Sequence, residues 1–518
     1  METNLQSLIS ALSHPQVYPE STACVKLVQT HMSCVFLTDE HAYKIKKPVN
    51  LGYLDYTSLE QRRYFCEQEV ILNRRLCPEV YLGVENITFD GVNYALNGSG
   101  EIVDYAVRMK RLPDARLLNH LLQQNAATME MMDAVAHKLA QFHAQAQTND
   151  KIAAYGSGTT ITQNTEENFS QTQKYFGQAI SEAQFERIRD YTRNFMHDNA
   201  TLLQKRMVER RVRDCHGDLH AQHICFADDI YIFDCIEFNE RFRYCDVASE
   251  VAFLAMDLEH SGRADLSRHF VTQYVTYSND ADIIALLNFY KCYRAYVRGK
   301  VACFSLDAPL ISDLDRQHSL EAAVSYFGLT ASYTRDRPIL IVMVGLTGSG
   351  KTTTATALAG HIGAAHISSD VTRKRLANIP ETTHRYDAID SGLYSPDFHR
   401  KTYETIINQA AGILAEGTSV ILDAAFLKQS ERKMACDQAR QKGADLLIVE
   451  CHLDAQIAKE RLYQRLSQRT ASDGTWEVYQ KQLGWIEPVV HTPRHEHQII
   501  DASLPLAHNV KMILDRIG

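Results

Sequence analysis

The chain has 518 residues, of which 45% are hydrophobic and 23% are charged, and this composition is typical of globular proteins with several cores. The net charge of −9 argues against a general binder of nucleic acid or anionic membranes, because such proteins carry an excess of basic residues. A membrane-spanning helix needs roughly 18 or more consecutive apolar residues, and no segment of the sequence provides them.

The cysteines and the first residues of the chain indicate where the protein is found. The 12 cysteines are scattered and include no C-x-x-C pair, and the first residues lack the basic-then-apolar layout of a secretion signal. Disulfides persist mainly in oxidising compartments. We therefore expect reduced thiols, a cytoplasmic protein and no membrane partner.

The first strands carry lysines that a phosphate site requires. Residues 33–46 predict two strands joined by a polar turn, and alternation places Lys44 and Lys46 on one face of the second strand. A helix starting near Ser58 carries Glu69. Kinases hold the α- and β-phosphates of a nucleotide with a strand lysine paired to a helix glutamate. We assign these roles to Lys44 and Glu69, with Lys46 as the alternative lysine and a surface ion pair as the alternative function.

A mainly helical region follows a strand near residues 105–113. Apolar spacing predicts helices at 115–124, 129–146, 171–209, 283–301 and 319–327. The segment 149–164 is rich in glycine, threonine and asparagine, and predicts a loop.

Two aspartates lie on either side of short strands in the next segment. Asp218 lies in the sequence Cys-His-Gly-Asp-Leu-His, and Asp234 follows the apolar run 230–233. Phosphoryl transfer uses one carboxylate to orient the acceptor hydroxyl and another to hold Mg²⁺. A metal site built by three histidines is the alternative chemistry for this segment, and its ligands would be His216, His220 and His223.

These residues resemble the aminoglycoside phosphotransferase-like kinases, which share the two-lobed protein-kinase fold. The resemblance covers about residues 20–330 and implies that Asp218 is the catalytic aspartate and Asp234 the magnesium ligand. The family usually has asparagine five residues after the catalytic aspartate, and His223 stands there in this chain. We assign His223 to the metal site, although imidazole is a poorer magnesium ligand than an amide oxygen. The first predicted domain spans residues 1–330.

A polar segment at 328–338 has glycine at its start and proline at its end, and predicts a linker. The apolar run Ile339–Val344 predicts a buried strand, and the residues after it fit G-x-x-x-x-G-K-[ST]. In such a loop, glycines turn backbone N–H groups toward an anion, the lysine reaches the β- and γ-phosphates, and the threonine hydroxyl can ligate Mg²⁺. We assign nucleotide binding to Gly345, Leu346, Thr347, Gly348, Ser349, Gly350, Lys351, Thr352 and Thr353, with Lys351 also in catalysis.

The rest of the chain alternates strands and helices, which predicts a doubly wound sheet. Strands near 365–370 and 419–423 end in Asp370 and Asp423, and ligands bind at the carboxyl ends of such strands. Asp423 has the position of a magnesium-binding aspartate. Arg373, one turn into the next helix, is assigned to an anionic substrate or the moving phosphoryl group. Asp370 is assigned as the acceptor base, and a helix-capping role is the alternative.

Three arginines at helical spacing form one face of a later helix. Arg461 is followed by Arg465 and Arg469, and a polar stretch comes next, at 470–474. In small kinases, a helix that carries arginines beside a flexible polar stretch forms a lid that closes over the phosphates. We assign Arg465 and Arg469 to the nucleotide, and a solvated basic face is the alternative.

The second half resembles the small P-loop kinases, such as gluconate kinase, polynucleotide kinase and zeta-toxin relatives. The resemblance implies a second domain at 338–518 that uses ATP and Mg²⁺. We therefore predict an α+β kinase-like domain fused to an α/β P-loop kinase domain, with phosphoryl transfer to a small hydroxylated molecule. Two alternatives remain: phosphorylation of nucleic-acid ends or a toxin-like target, and a first half that only binds nucleotide or regulates.

Overall fold

A computed structural model describes residues 5–307, 311–380, 392–465, 474–490 and 492–517. Within those ranges, no helix combines the length and the apolar character needed to cross a bilayer. The chain forms two compact units. One contains the residues up to Asn164, Met196–Asp257 and Arg268–Tyr290, and the other contains Thr165–Phe195, Leu258–Ser267 and the residues from Lys291 onward.

The first part of the chain forms a six-stranded antiparallel sheet in the order β1-β2-β3-β6-β4-β5. The strands predicted at 33–46 and the helix after Ser58 are confirmed, and the Ser58 hydroxyl accepts a hydrogen bond from the N–H of Gln61 as its N-cap. Because successive side chains of a strand point to opposite faces, Ala42 packs toward α2 and Tyr43 toward α1. The elements are α1 Leu5–Leu12, β1 Lys26–Gln29, β2 Ser33–Leu37, β3 His41–Lys46, α2 Leu59–Asn73, β4 Tyr81–Phe89, β5 Tyr94–Leu96 and β6 Glu101–Lys110.

Helices dominate the following segment, interrupted by short antiparallel strand pairs, β7 with β10 and β8 with β9. The elements are α3 Leu118–Gln123, α4 Met129–Gln145, α5 Asp150–Ala153, α6 Gly158–Thr172, α7 Glu182–Asp198, α8 Ala200–Val208, β7 Val212–Asp214, β8 Ile224–Phe226, β9 Ile230–Ile232, α9 Glu240–Arg243, β10 Tyr244–Asp246, α10 Val247–His260, α11 Ala264–Ser278, α12 Ile283–Leu306 and α13 Asp313–Ser332.

The loop predicted at 149–164 is wrong, because α5 and the start of α6 occupy it. The Asn149 side chain accepts a hydrogen bond from the N–H of Ile152, at 2.9 Å, and so caps α5. Ile152 and Ile161 are buried. Capping and burial therefore outweigh the weak helix propensity of the glycine and threonine residues, which was the basis of the prediction.

The segment predicted as a linker at 328–338 begins inside a helix. α13 continues to Ser332, and Gly328 and Leu329 are buried within it. A Cβ atom at Gly328 would lie 3.3 Å from the carbonyl oxygen of His361, so this glycine permits close packing and does not end the helix.

The last part of the chain is a parallel five-stranded sheet with the strand order β12-β13-β11-β14-β15. β11 lies at its centre and is fully buried. Alternate residues of β11 enter two cores on opposite faces of the sheet, which confirms the doubly wound prediction. The elements are β11 Ile339–Val344, α14 Lys351–Ile362, β12 Ala365–Ser368, α15 Ser369–Leu376, α16 Pro396–Ala415, β13 Val420–Asp423, α17 Gln429–Gln441, β14 Asp445–His452, α18 Ala455–Arg465, α19 Trp476–Leu483, β15 His497–Asp501 and α20 Leu506–Ile517.

Candidate functional site

The loop between β11 and α14 has the backbone of an anion cradle. Gly345, Gly348 and Gly350 have φ angles of 146°, 80° and 83°, which side chains rarely allow. A Cβ atom at Gly345 would lie only 2.8 Å from the carbonyl oxygen of Cys451. Gly350 is the N-cap of α14, so Lys351 and Thr352 occupy the first turn, where free N–H groups and the helix dipole attract anions.

Hydrogen bonds within the loop and from α19 hold the phosphate-binding groups of the loop. The ammonium group of Lys351 donates to the carbonyl oxygen of Leu346, at 2.7 Å. The N–H of Thr347 donates to the side-chain oxygen of Gln482 in α19, at 2.7 Å. A phosphate that enters the loop would have to displace the carbonyl of Leu346 as the hydrogen-bond acceptor of the Lys351 ammonium group.

A large pocket of about 1400 Å³ opens at the loop and at the ends of β12 and β13. Its lining brings together residues that the sequence assigned to nucleotide, acceptor and metal: Thr347, Gly348, Gly350, Lys351, Thr352, Thr353, Asp370, Arg373 and Asp423. Asp423 is buried, and one of its carboxylate oxygens lies 3.2 Å from Nε2 of His366. Thr352 and Asp423 offer oxygen ligands, which suit a hard cation.

Asp370 lies in the first turn of α15 but does not cap that helix. The N-cap is Ser368, whose hydroxyl accepts a hydrogen bond from the N–H of Val371. The carboxylate of Asp370 accepts a hydrogen bond from the guanidinium of Arg373, at 2.9 Å, and about 30% of its side chain is exposed. The capping alternative to a chemical role for Asp370 is therefore wrong.

The arginines assigned to a lid are only partly described. Arg465 is the last residue of α18, but its side chain lies outside the described residues, and so does the whole of Arg469. Arg461 lines the pocket and donates a hydrogen bond to the carbonyl oxygen of Ala502, at 3.0 Å.

A buried network of lysines and carboxylates joins β3 to α2 in the first half. Nζ of Lys44 lies 2.9 Å from the Glu69 carboxylate and 2.6 Å from Asp234. Lys46 pairs with the other oxygen of Glu69 and with Glu237, and only 1% of it is exposed. Lys44, on the Asp234 side, is thus the lysine adjacent to the predicted metal ligand.

Charge is retained in this network in spite of burial. Burial would lower the pKa of the Lys44 ammonium, but the Asp234 and Glu69 carboxylates raise it well above its usual value. Burial would raise the pKa of the Asp234 carboxyl, but the Lys44 ammonium lowers it far below its usual range. The pair therefore remains ionised at neutral pH.

His223 lies between the two candidate catalytic aspartates. Its Nδ1 is 2.9 Å from the backbone oxygen of Asp218, and its Nε2 is 3.5 Å from the carboxylate of Asp234. Its ring lies against that of His220, with the centroids 4.0 Å apart. Burial lowers the pKa of the His223 imidazole to about 4, so the ring is neutral at physiological pH.

The three-histidine metal site is not what the structure assembles. Nε2 of His216 contacts the carbonyl oxygen of Phe233, at 2.9 Å. Asp218, instead of His216, lies beside His220 and His223. One possible ligand atom from each of these three residues lies within 4.8 Å of the others. The histidines are therefore combined with a carboxylate in this segment.

Glu250 in α10 supports the loop of Asp218, and no motif in the sequence had indicated it. Its carboxylate accepts hydrogen bonds from the N–H groups of His216 and Gly217, at 2.9 and 2.6 Å, and contacts Nε2 of His143, at 2.7 Å. Burial would raise the pKa of Glu250, but these hydrogen bonds and nearby charges lower it to about 2. An ionised carboxylate thus fixes the backbone beside Asp218.

Comparisons with known proteins match both parts of the chain to families. Residues 62–283 match the model of the phosphotransferase enzyme family, and residues 340–489 match an AAA domain model. The uncharacterized proteins Rv2004c of Mycobacterium tuberculosis and Mb2027c of Mycobacterium bovis are each 31% identical over 454 residues, which are 87% of this chain and 88% of the relative.

Solved structures resemble about a third of the chain. A gluconokinase from Sinorhizobium meliloti 1021 is 24% identical and covers 35% of this chain and 93% of its own, with a TM-score of 0.26. The APS kinase CysC of Mycobacterium tuberculosis is 17% identical and covers 35% of this chain and 99% of its own, also with a TM-score of 0.26.

Proposed function

Because the chain belongs to a family of proteins that join a phosphotransferase domain to a small P-loop kinase domain, we propose that it transfers the γ-phosphate of ATP to a hydroxyl group of a small molecule in its second half. The observation that carries the proposal is the single pocket shared by the phosphate loop, Asp370 and Arg373. Its volume of about 1400 Å³ is large enough for a nucleotide and an acceptor together.

The side chains in this pocket divide the work of phosphoryl transfer. The loop N–H groups and Lys351 bind the β- and γ-phosphates once Lys351 leaves the carbonyl of Leu346. Asp370 takes the proton of the acceptor hydroxyl while the oxygen of that hydroxyl forms a bond to the γ-phosphorus. The bond from the γ-phosphorus to the β–γ bridging oxygen breaks at the same time and releases ADP. Arg373 offsets negative charge on the moving phosphoryl group.

The oxygen ligands of the pocket fit a magnesium ion. Thr352 and Asp423 would hold it, and it would neutralise charge on the phosphates when bound. The buried carboxylate of Asp423 has a neighbouring imidazole, His366, that orients it.

We infer a nucleotide and metal role for the first half as well. The Lys44–Glu69 pair next to Asp234 supports nucleotide binding, and Asp218, held by the Glu250-supported loop, has the position of an acceptor base. A half that binds nucleotide without transferring phosphate is the second candidate. It is favoured by His223, which faces Asp234 where related kinases present an amide.

A transfer screen tests both halves in the full chain. The protein is incubated with γ-labelled ATP and a pool of hydroxylated metabolites, with nucleic-acid 5′ ends as a separate arm. Lys351→Ala should abolish transfer by the second half, because the γ-phosphate loses its compensating charge, whereas the control Lys442→Ala, at an exposed position, should not. Asp218→Asn should leave the product of the second half unchanged.

Transfer that persists in Lys351→Ala and stops in Asp218→Asn would move the activity to the first half. Label found only on nucleic-acid ends would replace the small-molecule acceptor. Normal transfer in both variants would contradict the proposal.

A further inference from the structure

The proton of the His223 imidazole is on a defined nitrogen. Nδ1 lies 2.9 Å from the backbone carbonyl oxygen of Asp218, and a carbonyl oxygen can only accept a hydrogen bond. Nδ1 therefore carries the hydrogen in the neutral ring, and Nε2 carries the lone pair. Metal-binding histidines are commonly oriented in this way, by a backbone carbonyl on the other ring nitrogen.

The lone pair of Nε2 faces a second acceptor. Oδ2 of Asp234 lies 3.5 Å away, while Oδ1 of the same carboxylate accepts a hydrogen bond from Lys44, at 2.6 Å. With the hydrogen of His223 on Nδ1, no proton lies between Nε2 and Oδ2. Two electron-pair donors at this separation are satisfied together by a cation.

The separation suits one metal ion bound to both atoms. Metal–nitrogen and metal–oxygen bonds of about 2.0–2.2 Å place adjacent ligands about 2.8–3.1 Å apart in octahedral geometry and about 3.3–3.6 Å apart in tetrahedral geometry. The observed 3.5 Å therefore matches a tetrahedral ion as it stands, whereas an octahedral ion would need the two atoms to approach by roughly half an ångström. The cluster of Asp218, His220 and His223 is less suitable, because Nδ1 of His223 is already engaged by the Asp218 carbonyl.

The backbone conformation of Asp234 is held by its surroundings, so its carboxylate is positioned next to His223 before any ion binds. Its φ angle is 63°, in the left-handed region that residues other than glycine seldom adopt. Its N–H donates to the hydroxyl of Tyr81, at 3.1 Å, and the next N–H, of Cys235, donates to the side-chain oxygen of Asn73, at 2.8 Å. Strained backbone that its surroundings hold in place is typical of functional sites.

We propose that Nε2 of His223 and Oδ2 of Asp234 bind a divalent first-row transition ion in preference to Mg²⁺. Imidazole suits zinc, iron, cobalt and nickel, whereas magnesium strongly prefers oxygen ligands. The inference refines the metal role proposed for the first half and rests on it. It gives His223, which stands where the resembling kinases usually have asparagine, the role of selecting the metal ion.

Competitive metal binding to the full chain tests this assignment, with Co²⁺ as the probe because its visible absorption reports its ligands. All proteins carry Asp423→Asn, which removes the carboxylate ligand of the other pocket. Co²⁺ and Mg²⁺ affinities are measured by absorption and by calorimetric competition. In His223→Asn, and in His223→Gln as a second variant, the ratio of Co²⁺ to Mg²⁺ affinity should fall by about 10-fold or more.

The matched control is His361→Asn, since Nδ1 of His361 also lies against a backbone carbonyl, that of Ala357, at 2.8 Å. This variant should keep the ratio of the parent. Asp234→Asn should lose the Co²⁺ spectrum. Thermal melting confirms that each variant is folded.

An unchanged ratio in whichever His223 variant folds would overturn the inference, provided that Asp234→Asn still abolishes binding. If Asp234→Asn also binds Co²⁺ and metal–ATP as the parent does, the proposed metal role of the first half is itself wrong.

Discussion

At the scale of single residues, the structure assigns helix capping to Ser368 and leaves Asp370 without a capping role. Ser368 caps α15, and Asp370 pairs with Arg373. Asp370→Asn should therefore leave the melting temperature and ATP binding unchanged, and should lower transfer by about 10²–10⁴-fold, the usual effect of losing a general base. Melting, calorimetry with ATP and the transfer assay measure the three quantities.

The control for this variant is Asp397→Asn, because Asp397 also pairs with an arginine three residues later, Arg400. It should leave transfer nearly unchanged. Normal turnover in Asp370→Asn would remove Asp370 from the chemistry, and a large fall in melting temperature would give it a structural role.

Asp218 and Asp234 should differ in what they contribute. Asp234 contacts Lys44 and faces Nε2 of His223, whereas Asp218 lies on the other side of the imidazole. In a Lys351→Ala background, which silences the second half, Asp234→Asn should abolish metal-dependent ATP binding and Asp218→Asn should preserve it. Isothermal titration calorimetry with metal–ATP measures the binding affinity of each variant.

Equal loss of binding in both variants would contradict this division of roles. Intact binding in both would remove the nucleotide site from the first half.

At the scale of elements, local signals predicted what local interactions determine. β11 was predicted from a contiguous apolar run, and the helix predicted after Ser58 begins in the structure at a capping box formed by Ser58 and Gln61, which are close in sequence. The segment 149–164 was not predicted as helical, because the burial of Ile152 and Ile161 that stabilises its helices is not indicated by the glycine, threonine and asparagine residues around them.

The same distinction applies to the sites. The aspartates and the phosphate loop lie in contiguous motifs, so the sequence indicated them. The tautomer of His223 depends on a backbone oxygen, and the role of Glu250 depends on N–H groups that lie 34 and 33 positions before it in the sequence. Neither relation leaves a spacing that can be read in the sequence, since each depends on the fold.

Two glycines inside helices, Gly360 in α14 and Gly412 in α16, give predictions of opposite sign. A Cβ atom at Gly360 would lie 2.7 Å from the carbonyl oxygen of His260, whereas one at Gly412, inside α16, would meet nothing within 4 Å. Alanine is favoured over glycine within a helix by about 0.5–1 kcal/mol. Gly412→Ala should therefore stabilise the protein by about that amount.

Gly360→Ala should destabilise it, because backbone must move to relieve the contact. Urea unfolding that reports the second compact unit measures both free energies. Stabilisation by Gly360→Ala would mean that His260 and α14 do not pack as closely as the structure has them.

At the scale of the whole molecule, the P-loop sheet belongs to a compact unit that begins well before it in sequence. That unit includes Thr165–Phe195, Leu258–Ser267 and the residues from Lys291 through α12 and α13. In α13, Leu329 lies against the position of Gly363, and Gly328 approaches Leu514 of α20. Glu259 forms a buried group with Lys291, at 2.9 Å, and with Tyr333, at 2.6 Å. Residues before 338 thus complete the core around α14 and α20.

A fragment of residues 338–518 should therefore be much less stable than the same sheet in the full chain. It would expose the surfaces of α14 and α20 that α13 covers, and it would lose the hydrogen bond from Arg335 to the carbonyl of Ile517. Exposed apolar surface costs about 25 cal/mol per Å², and newly exposed patches promote aggregation. A fragment that starts at residue 291 keeps most of α12 and all of α13, so it should melt between the short fragment and the full chain. Differential scanning calorimetry with light scattering tests this order. A 338–518 fragment that stays monomeric and melts with the full chain would show that the P-loop half folds without the helices before it.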